Sequence, residues 1–390
     1  MLLERLEFTP ERDADVLAAV PSSPAVFLLA GHEAAEPYVS KTRNLRRRLI
    51  RLLGASQDTR KLNLRERVCS IEFTPTGSDF EAGLLLYQAL RRAFPKTYRA
   101  RLRLQFAPLV KMHMGNRYPR ASITRRVGGA KSNYYGPFAS RAAAEKFSHD
   151  ALDFFSMRRC VDDLNPDPAF PGCIYSEMKM CLAPCFKGCT DQEYRVEVER
   201  VEAFFDTRGA SLVEEISRQR EQASLELRFE EAARLHAQLE KLRSVLTQMP
   251  EIVHRLDRLS GLVIQRSSGP NSIALFSIQA GIISGPIRFS IPPFLLPGGE
   301  APPLRARISQ ALSGSRSQEA ASTVELMEHL AILKRWFFRS SRQGEIFFAD
   351  RKGELPWRRI VRGVARILQG GHAQKETPAP GAPPFREQGG

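Results

Sequence analysis

The chain lacks any apolar run near the ~18–20 residues of a membrane span. Its longest candidates, 24–30 and 273–278, read as strands. The first residues, Met1-Leu-Leu-Glu-Arg-Leu-Glu7, have no apolar core of the kind a secretory signal needs. These two absences predict a cytoplasmic protein with no membrane association. Cysteine is scarce, with six in 390 residues. In a reducing compartment so few thiols do not make a disulfide framework, which leaves metal binding or plain burial. No two cysteines have the two-residue spacing of a zinc ribbon, and no internal repeat is visible.

Negative charge is also in short supply. Lys and Arg number 58 against 43 Asp and Glu, a formal charge of +15. That excess suggests a polyanionic partner, nucleic acid before an anionic membrane surface. The alternative is a soluble protein whose basic surface has no partner. The length suggests two to three domains.

A strand over 25–30, a turn and a second strand at Tyr38-Val39 precede a basic helix. Asn44 is placed to cap that helix, with Leu45, Leu49, Ile50 and Leu53 at helical spacing. A strand over 68–73 and a helix starting at Ser78 or Asp79 complete a small α/β unit that ends near Arg103. Short strands follow, then a helix over 140–155, a cysteine-rich stretch over 160–189 and a charged helical stretch over 191–248. After Leu256 the pattern alternates as strands separated by Gly-Pro turns. A helix over 322–337 and a strand over 345–348 come next. The fold class is therefore α/β and α+β, in several domains.

Three groups of residues can carry chemistry. Tyr38, Lys41, Arg43, Asn44, Arg46, Arg47 and Arg48 set a phenol at a strand end beside a helix dense in guanidinium groups. Such forks match phosphate oxygens, although a solvated basic helix face gives the same pattern. Cys160, Cys173, Cys181 and Cys185, with 12, 7 and 3 residues between them, can together satisfy Zn²⁺ or an iron–sulfur cluster, or lie unligated. Cys189 reads as a spare thiol and Cys69 as a core residue. Phe229, Ala232, Ala233, His236 and Leu239 read as the inner apolar seam of a helical hairpin, with His236 packed inside it.

Several blocks resemble the UvrC family, the incision subunit of bacterial nucleotide excision repair. Tyr38-Val-Ser-Lys-Thr-Arg-Asn-Leu-Arg-Arg-Arg48 is similar to the second motif of its GIY-YIG nuclease domain. Asn133-Tyr-Tyr-Gly-Pro-Phe138, Cys181-Leu-Ala-Pro-Cys185 and Leu227-Arg-Phe-Glu-Glu-Ala-Ala-Arg-Leu235 resemble further blocks, the last being the UVR motif. The resemblance implies Tyr38 and Arg48 as catalytic residues and the four cysteines as ligands of a 4Fe–4S cluster, with zinc as the alternative. It implies UvrB as a partner through Phe229, Ala232, Ala233 and Leu239, with UvrA as a further candidate.

The sequence departs from the family at telling positions. Phe27 stands for the first-motif Tyr and Ser40 for a Gly. Leu86 stands for the metal-binding Glu and Tyr98 for an Asn. A hard cation such as Mg²⁺ has no inner-shell carboxylate at Leu86, and Glu81 would serve only if the helix were rotated. Asp257, Asp350, His329 and His372 match no catalytic position of the family's RNase H-like domain. The domains expected are an extension over 1–20 and a degenerate GIY-YIG-like domain over 21–103. A Cys-cluster module over 104–190 and a UVR region over 191–252 follow. A vestigial RNase H-like segment over 255–350 and a disordered tail over 370–390 complete the chain. The expected function is a DNA- and UvrB-binding repair protein with a degenerate nuclease site. An active, shortened excinuclease making one metal-dependent incision is the alternative, and an adaptor with incidental charge a third reading.

Overall fold

The structure is a computed structural model that describes residues 2–32, 35–55, 62–129, 131–161, 164–291, 301–313 and 321–369. The tail over 370–390, with His372, lies outside the described residues.

The first unit comprises β1 (Glu4–Glu7), α1 (Asp13–Ala19), β2 (Ala25–Gly31), β3 (Tyr38–Thr42), α2 (Leu45–Leu53), β4 (Val68–Pro75), α3 (Asp79–Ala93) and α4 (Tyr98–Leu102). Its antiparallel sheet has the order β1-β4-β2-β3. The residues read as an N-terminal extension are thus built into this sheet, with Leu6 opposite Ile71. Alternation along β2 sends Phe27 and Leu29 into a core shared with Leu45, Leu49 and Leu53 of α2, and Val26 toward Ala82 and Leu85 of α3. Ser78 caps α3 by accepting from the Glu81 backbone N–H.

The middle of the chain holds β5 (Leu109–Met112), β6 (Ala121–Thr124), β7 (Asn133–Gly136), α5 (Arg141–Leu152) and the short α6 (Ile174–Glu177). Three helices, α7 (Asp191–Asp206), α8 (Ala210–Leu225) and α9 (Phe229–Leu246), then divide the long helical stretch. The two-residue strand β8 (His254–Arg255) returns to pair with β7.

The last unit contains β9 (Gly261–Arg266), β10 (Ser272–Gln279), β11 (Ile282–Ser290), α10 (Ala301–Ser313), α11 (Thr323–Phe337), β12 (Glu345–Phe348) and α12 (Trp357–Leu368). Its sheet, β11-β10-β9-β12, is antiparallel throughout. Gly285-Pro286, expected in a turn between strands, lies inside β11 opposite an irregularity of β10. Leu262, Ile264, Ile273 and Phe347 face α10 and α12, whereas Val263, Ala274, Phe276 and Ile346 face α11 and the rest of the molecule. α12 extends this unit past the boundary at 350.

The first and last units meet at Gly77. A Cβ there would stand 2.2 Å from the Ser267 carbonyl carbon, so only glycine permits the approach. Elsewhere in the last unit, His329 of α11 is buried and its Nδ1 accepts from the Ile283 N–H of β11 at 3.0 Å. Burial, the largest cause, pulls its pKa down to about 4. The unfolded chain therefore takes up a proton near pH 6.5 that the fold refuses, and stability falls as pH drops from 6.5 toward 4. Chemical denaturation should show a loss of about 2 kcal/mol from this group between pH 7 and pH 5. A His329→Gln variant should lack that part of the pH dependence. An unchanged slope would disprove the assignment.

Candidate functional site

The strand register builds the first site. Leu29 pairs with Tyr38 and Phe27 with Ser40, so the Tyr38 ring shares the α2 side of the sheet with Phe27, 6.0 Å between centroids. Asn44 starts α2 as expected, its side chain accepting from the Arg47 N–H at 2.9 Å. That start sets Arg48 one turn into the helix, where its Nη2 donates to the Tyr38 hydroxyl at 2.7 Å.

The remaining basic candidates divide. Arg46 donates to the carbonyls of Val20 at 2.7 Å and Ala18 at 2.9 Å, so it ties down the chain end of α1 and does not face a ligand. Asn44 is spent on the cap. Arg43 and Arg47 are exposed, with no carboxylate partner among the described residues. Lys41 lies on the opposite pleat from Tyr38, its Nζ 3.5 Å from Asp79. Asp79 also accepts from Arg339 at 2.7 Å. Burial works to raise the Asp79 pKa, but Lys41 and Arg339 outweigh it and hold the carboxyl below its ordinary value.

Two carboxylates, Glu81 and Glu328, are committed to other partners. Glu81 is fully buried, accepting from the Gly77 N–H at 2.8 Å and from Arg288 of β11 at 3.0 Å. It holds two units together and is not a free metal ligand. Leu86 packs beside Val26, Ala82 and Leu85. Tyr98 donates to Glu328 of α11 at 2.5 Å. Glu328 also receives Tyr87 at 2.7 Å and Arg99 at 2.6 Å. Chemically, the Tyr38–Arg48 pair with Arg43 and Arg47 can grip phosphate oxygens. Hydrolysis would need a base or a metal-held water besides.

The four cysteines gather in one loop region. Leu182 N–H donates to the Ser156 carbonyl, and a tight turn at Pro184–Phe186 is flanked by Ala183 and Lys187 in the left-handed region, φ 56° and 61°. Cys181 is pushed up to about 11, first by burial and then by the neighbouring Cys160, Cys185 and Cys173 thiols. Its sulfur accepts from the Ala183 N–H at 3.3 Å. Four thiolates placed this way would repel one another, and a thiolate-binding metal or cluster would relieve that repulsion. As they stand, no three His, Cys, Asp or Glu side chains among the described residues are arranged to hold a metal ion. Cys189 packs partly against the main core, and Cys69 of β4 is half-buried, not fully so.

The helical hairpin presents a different face from the one expected. Leu235, Leu239, Leu242 and Val245 of α9 are buried, alongside Leu212, Ile216 and Ala223 of α8. Leu239 is therefore core and unavailable to a partner. His236 and Ala233 are exposed, so neither belongs to an inner seam. The large apolar groups that reach solvent sit at the α8–α9 corner: Leu225, Leu227 and Phe229 are 79%, 70% and 66% exposed. The expected seam merged two faces, because Phe229 opens α9 at its exposed end.

Among the described residues no helix is long and apolar enough to cross a membrane. The UvrC/Cho excinuclease middle domain matches residues 107–204, and the UvrB/UvrC motif matches 210–245. UvrABC system protein C of Rickettsia africae is 28% identical over 254 residues, 65% of this chain and 39% of that protein. The Trichlorobacter lovleyi protein of the same name is 29% identical over 280 residues, 70% of this chain and 45% of its own. That of Aliivibrio fischeri is 28% identical over 271 residues, 69% and 44%. These matches thus span less than half the length of the relatives. No solved structure matches. The middle domain of the UvrC/Cho excinucleases thus runs directly into a UVR motif here, in a chain similar to UvrABC system protein C over 65–70% of its length.

Proposed function

We propose that the chain acts in nucleotide excision repair by binding DNA phosphates and UvrB, from a GIY-YIG-like domain whose nuclease site is degenerate. The observation that carries the reading is the UvrC/Cho middle domain joined to a UVR hairpin with Leu225, Leu227 and Phe229 unpartnered at its corner. Degeneracy is supported by the side chains at the departing positions. Leu86 is given over to packing, Tyr98 to Glu328, and Glu81 to Arg288. The test is incision of a damaged duplex with Mg²⁺ or Mn²⁺, with and without UvrA and UvrB. The expected result is salt-sensitive binding without a nick. A metal-dependent nick that disappears in Arg48→Ala would overturn the degenerate reading. It would establish the second one, a shortened excinuclease, which the 2.7 Å Tyr38–Arg48 contact favours.

In this reading Cys160, Cys173, Cys181 and Cys185 hold an iron–sulfur cluster, with zinc as the alternative. A bound cluster would cross-link a stretch whose described residues hold little regular structure, the four-residue α6 and the short turn at Pro184–Phe186. Protein made anaerobically should be brown and absorb near ~400 nm, the signature of a thiolate-held cluster of this class. Colourless, zinc-loaded protein would assign the alternative.

A further inference from the structure

We propose that the outer face of α12, with the adjoining arginines of α10, is a second phosphate-binding surface for duplex DNA, separate from α2; it rests on the DNA-binding reading above. α12 is sharply divided. Ile360, Val364 and Ile367 are buried against the sheet, and Arg358, Arg359 and Arg362 stand exposed on the other side. Arg305 and Arg307 of the neighbouring α10 are exposed as well, stacked over Trp357 at 5.4 Å and Phe289 at 4.9 Å.

The absence of counter-charge separates this face from an ordinary solvated one. On the helices of the middle region, arginines are laced to carboxylates: Arg200 to Glu197 and Glu215, Arg243 to Glu240. α12 and α10 contain no acidic residue, and none of the five arginines has a carboxylate partner among the described residues. Arg366, on the same helix, is neutralised by Glu345 at 2.6 Å, so the remaining charge concentrates toward the start of α12. An unpaired guanidinium cluster matches phosphate oxygens in charge and in planar geometry. A basic amphipathic helix also suits an anionic membrane, but that mode inserts the apolar face. Here the apolar face is consumed by the core. The occupant is therefore a polyanion that needs only the cationic side. α12 covers the sheet face that α11 does not, so this surface is distinct from the Tyr38–Arg48 surface.

The test is an Arg358→Ala, Arg359→Ala, Arg362→Ala triple variant of the full chain, titrated with undamaged duplex at several KCl concentrations. The slope of log affinity against log salt should flatten by about 2–3, near 0.9 for each phosphate that is no longer neutralised. The corresponding triple Arg→Lys variant should keep most of the slope, and circular dichroism melts should match the parent for both. An unchanged slope in the alanine variant, with a reduced slope in Arg43→Ala, Arg47→Ala, overturns this inference and leaves the proposed function standing. A parent chain with no salt-dependent duplex binding overturns both. Sedimentation with phosphatidylserine-containing vesicles that the alanine triple abolishes, while its DNA slope stays unchanged, would reassign the face to a membrane.

Discussion

Replacing Glu328 by alanine is expected to lower the unfolding free energy by about 2–5 kcal/mol, chiefly because two buried hydroxyl donors lose their acceptor, while the half-exposed Arg99 stays solvated. The carboxylate has no solvent exposure and receives Tyr87, Tyr98 and Arg99 at 2.7, 2.5 and 2.6 Å. Removing it strands two buried hydroxyls, and each unsatisfied group carries its own desolvation penalty. Arg91 donates to Tyr87 at 3.0 Å and to Glu325 at 2.7 Å, so that edge of the network should persist. Glu328→Gln keeps an acceptor and should cost about 1–2 kcal/mol. Burial works to raise the Glu328 pKa, but the hydrogen bonds from Tyr98, Tyr87 and Arg99 prevail and leave it below the ordinary value. A depressed carboxylate pKa means stability that is present above the unfolded value and lost as pH falls through the folded one. The alanine penalty should therefore be larger at pH 7 than in acid. Urea unfolding at the two pH values measures this, and an alanine cost below about 1 kcal/mol at pH 7 would show that the network does not join the units.

That network also explains what the sequence leaves illegible. The cap at Asn44, the helix starts near Ser78 and Ser140 and the strand at 345–348 follow from local residue chemistry, and each falls where the pattern puts it. The Tyr38–Arg48 contact spans ten residues and is visible in the strand-then-helix pattern. Tyr87 and Glu328 are 241 residues apart, and Glu81 and Arg288 are 207 apart. No periodicity encodes such pairs. A reading of Glu81 as a spare metal ligand, or of Arg46 as a phosphate contact, fails for this reason: both side chains are consumed by distant backbone or charge. α12 is hidden differently. Its arginines resemble a polar linker until the Ile360, Val364 and Ile367 spacing is counted as a helix stripe.

The α8–α9 hairpin gives a prediction that separates folding from partner binding within one motif. Leu239 is fully buried, and Leu239→Ala should cost about 2–5 kcal/mol of stability, as deletions of buried leucine side chains do. Phe229 is 66% exposed, and Phe229→Ala should change stability by less than about 0.5 kcal/mol. If the corner docks on UvrB, the same Phe229 substitution should weaken the complex at least about tenfold, because an exposed aromatic that becomes buried on association is the usual energetic anchor. Leu227, which adopts a left-handed backbone at φ 59° in the connection, positions Phe229 at the opening of α9. The two variants should thus dissociate: Leu239→Ala shifts the urea midpoint, and Phe229→Ala shifts the UvrB titration with the midpoint unmoved. The reverse pattern, binding lost in a fully stable Leu239→Ala protein, would mean that the helices open and present their inner seam to the partner.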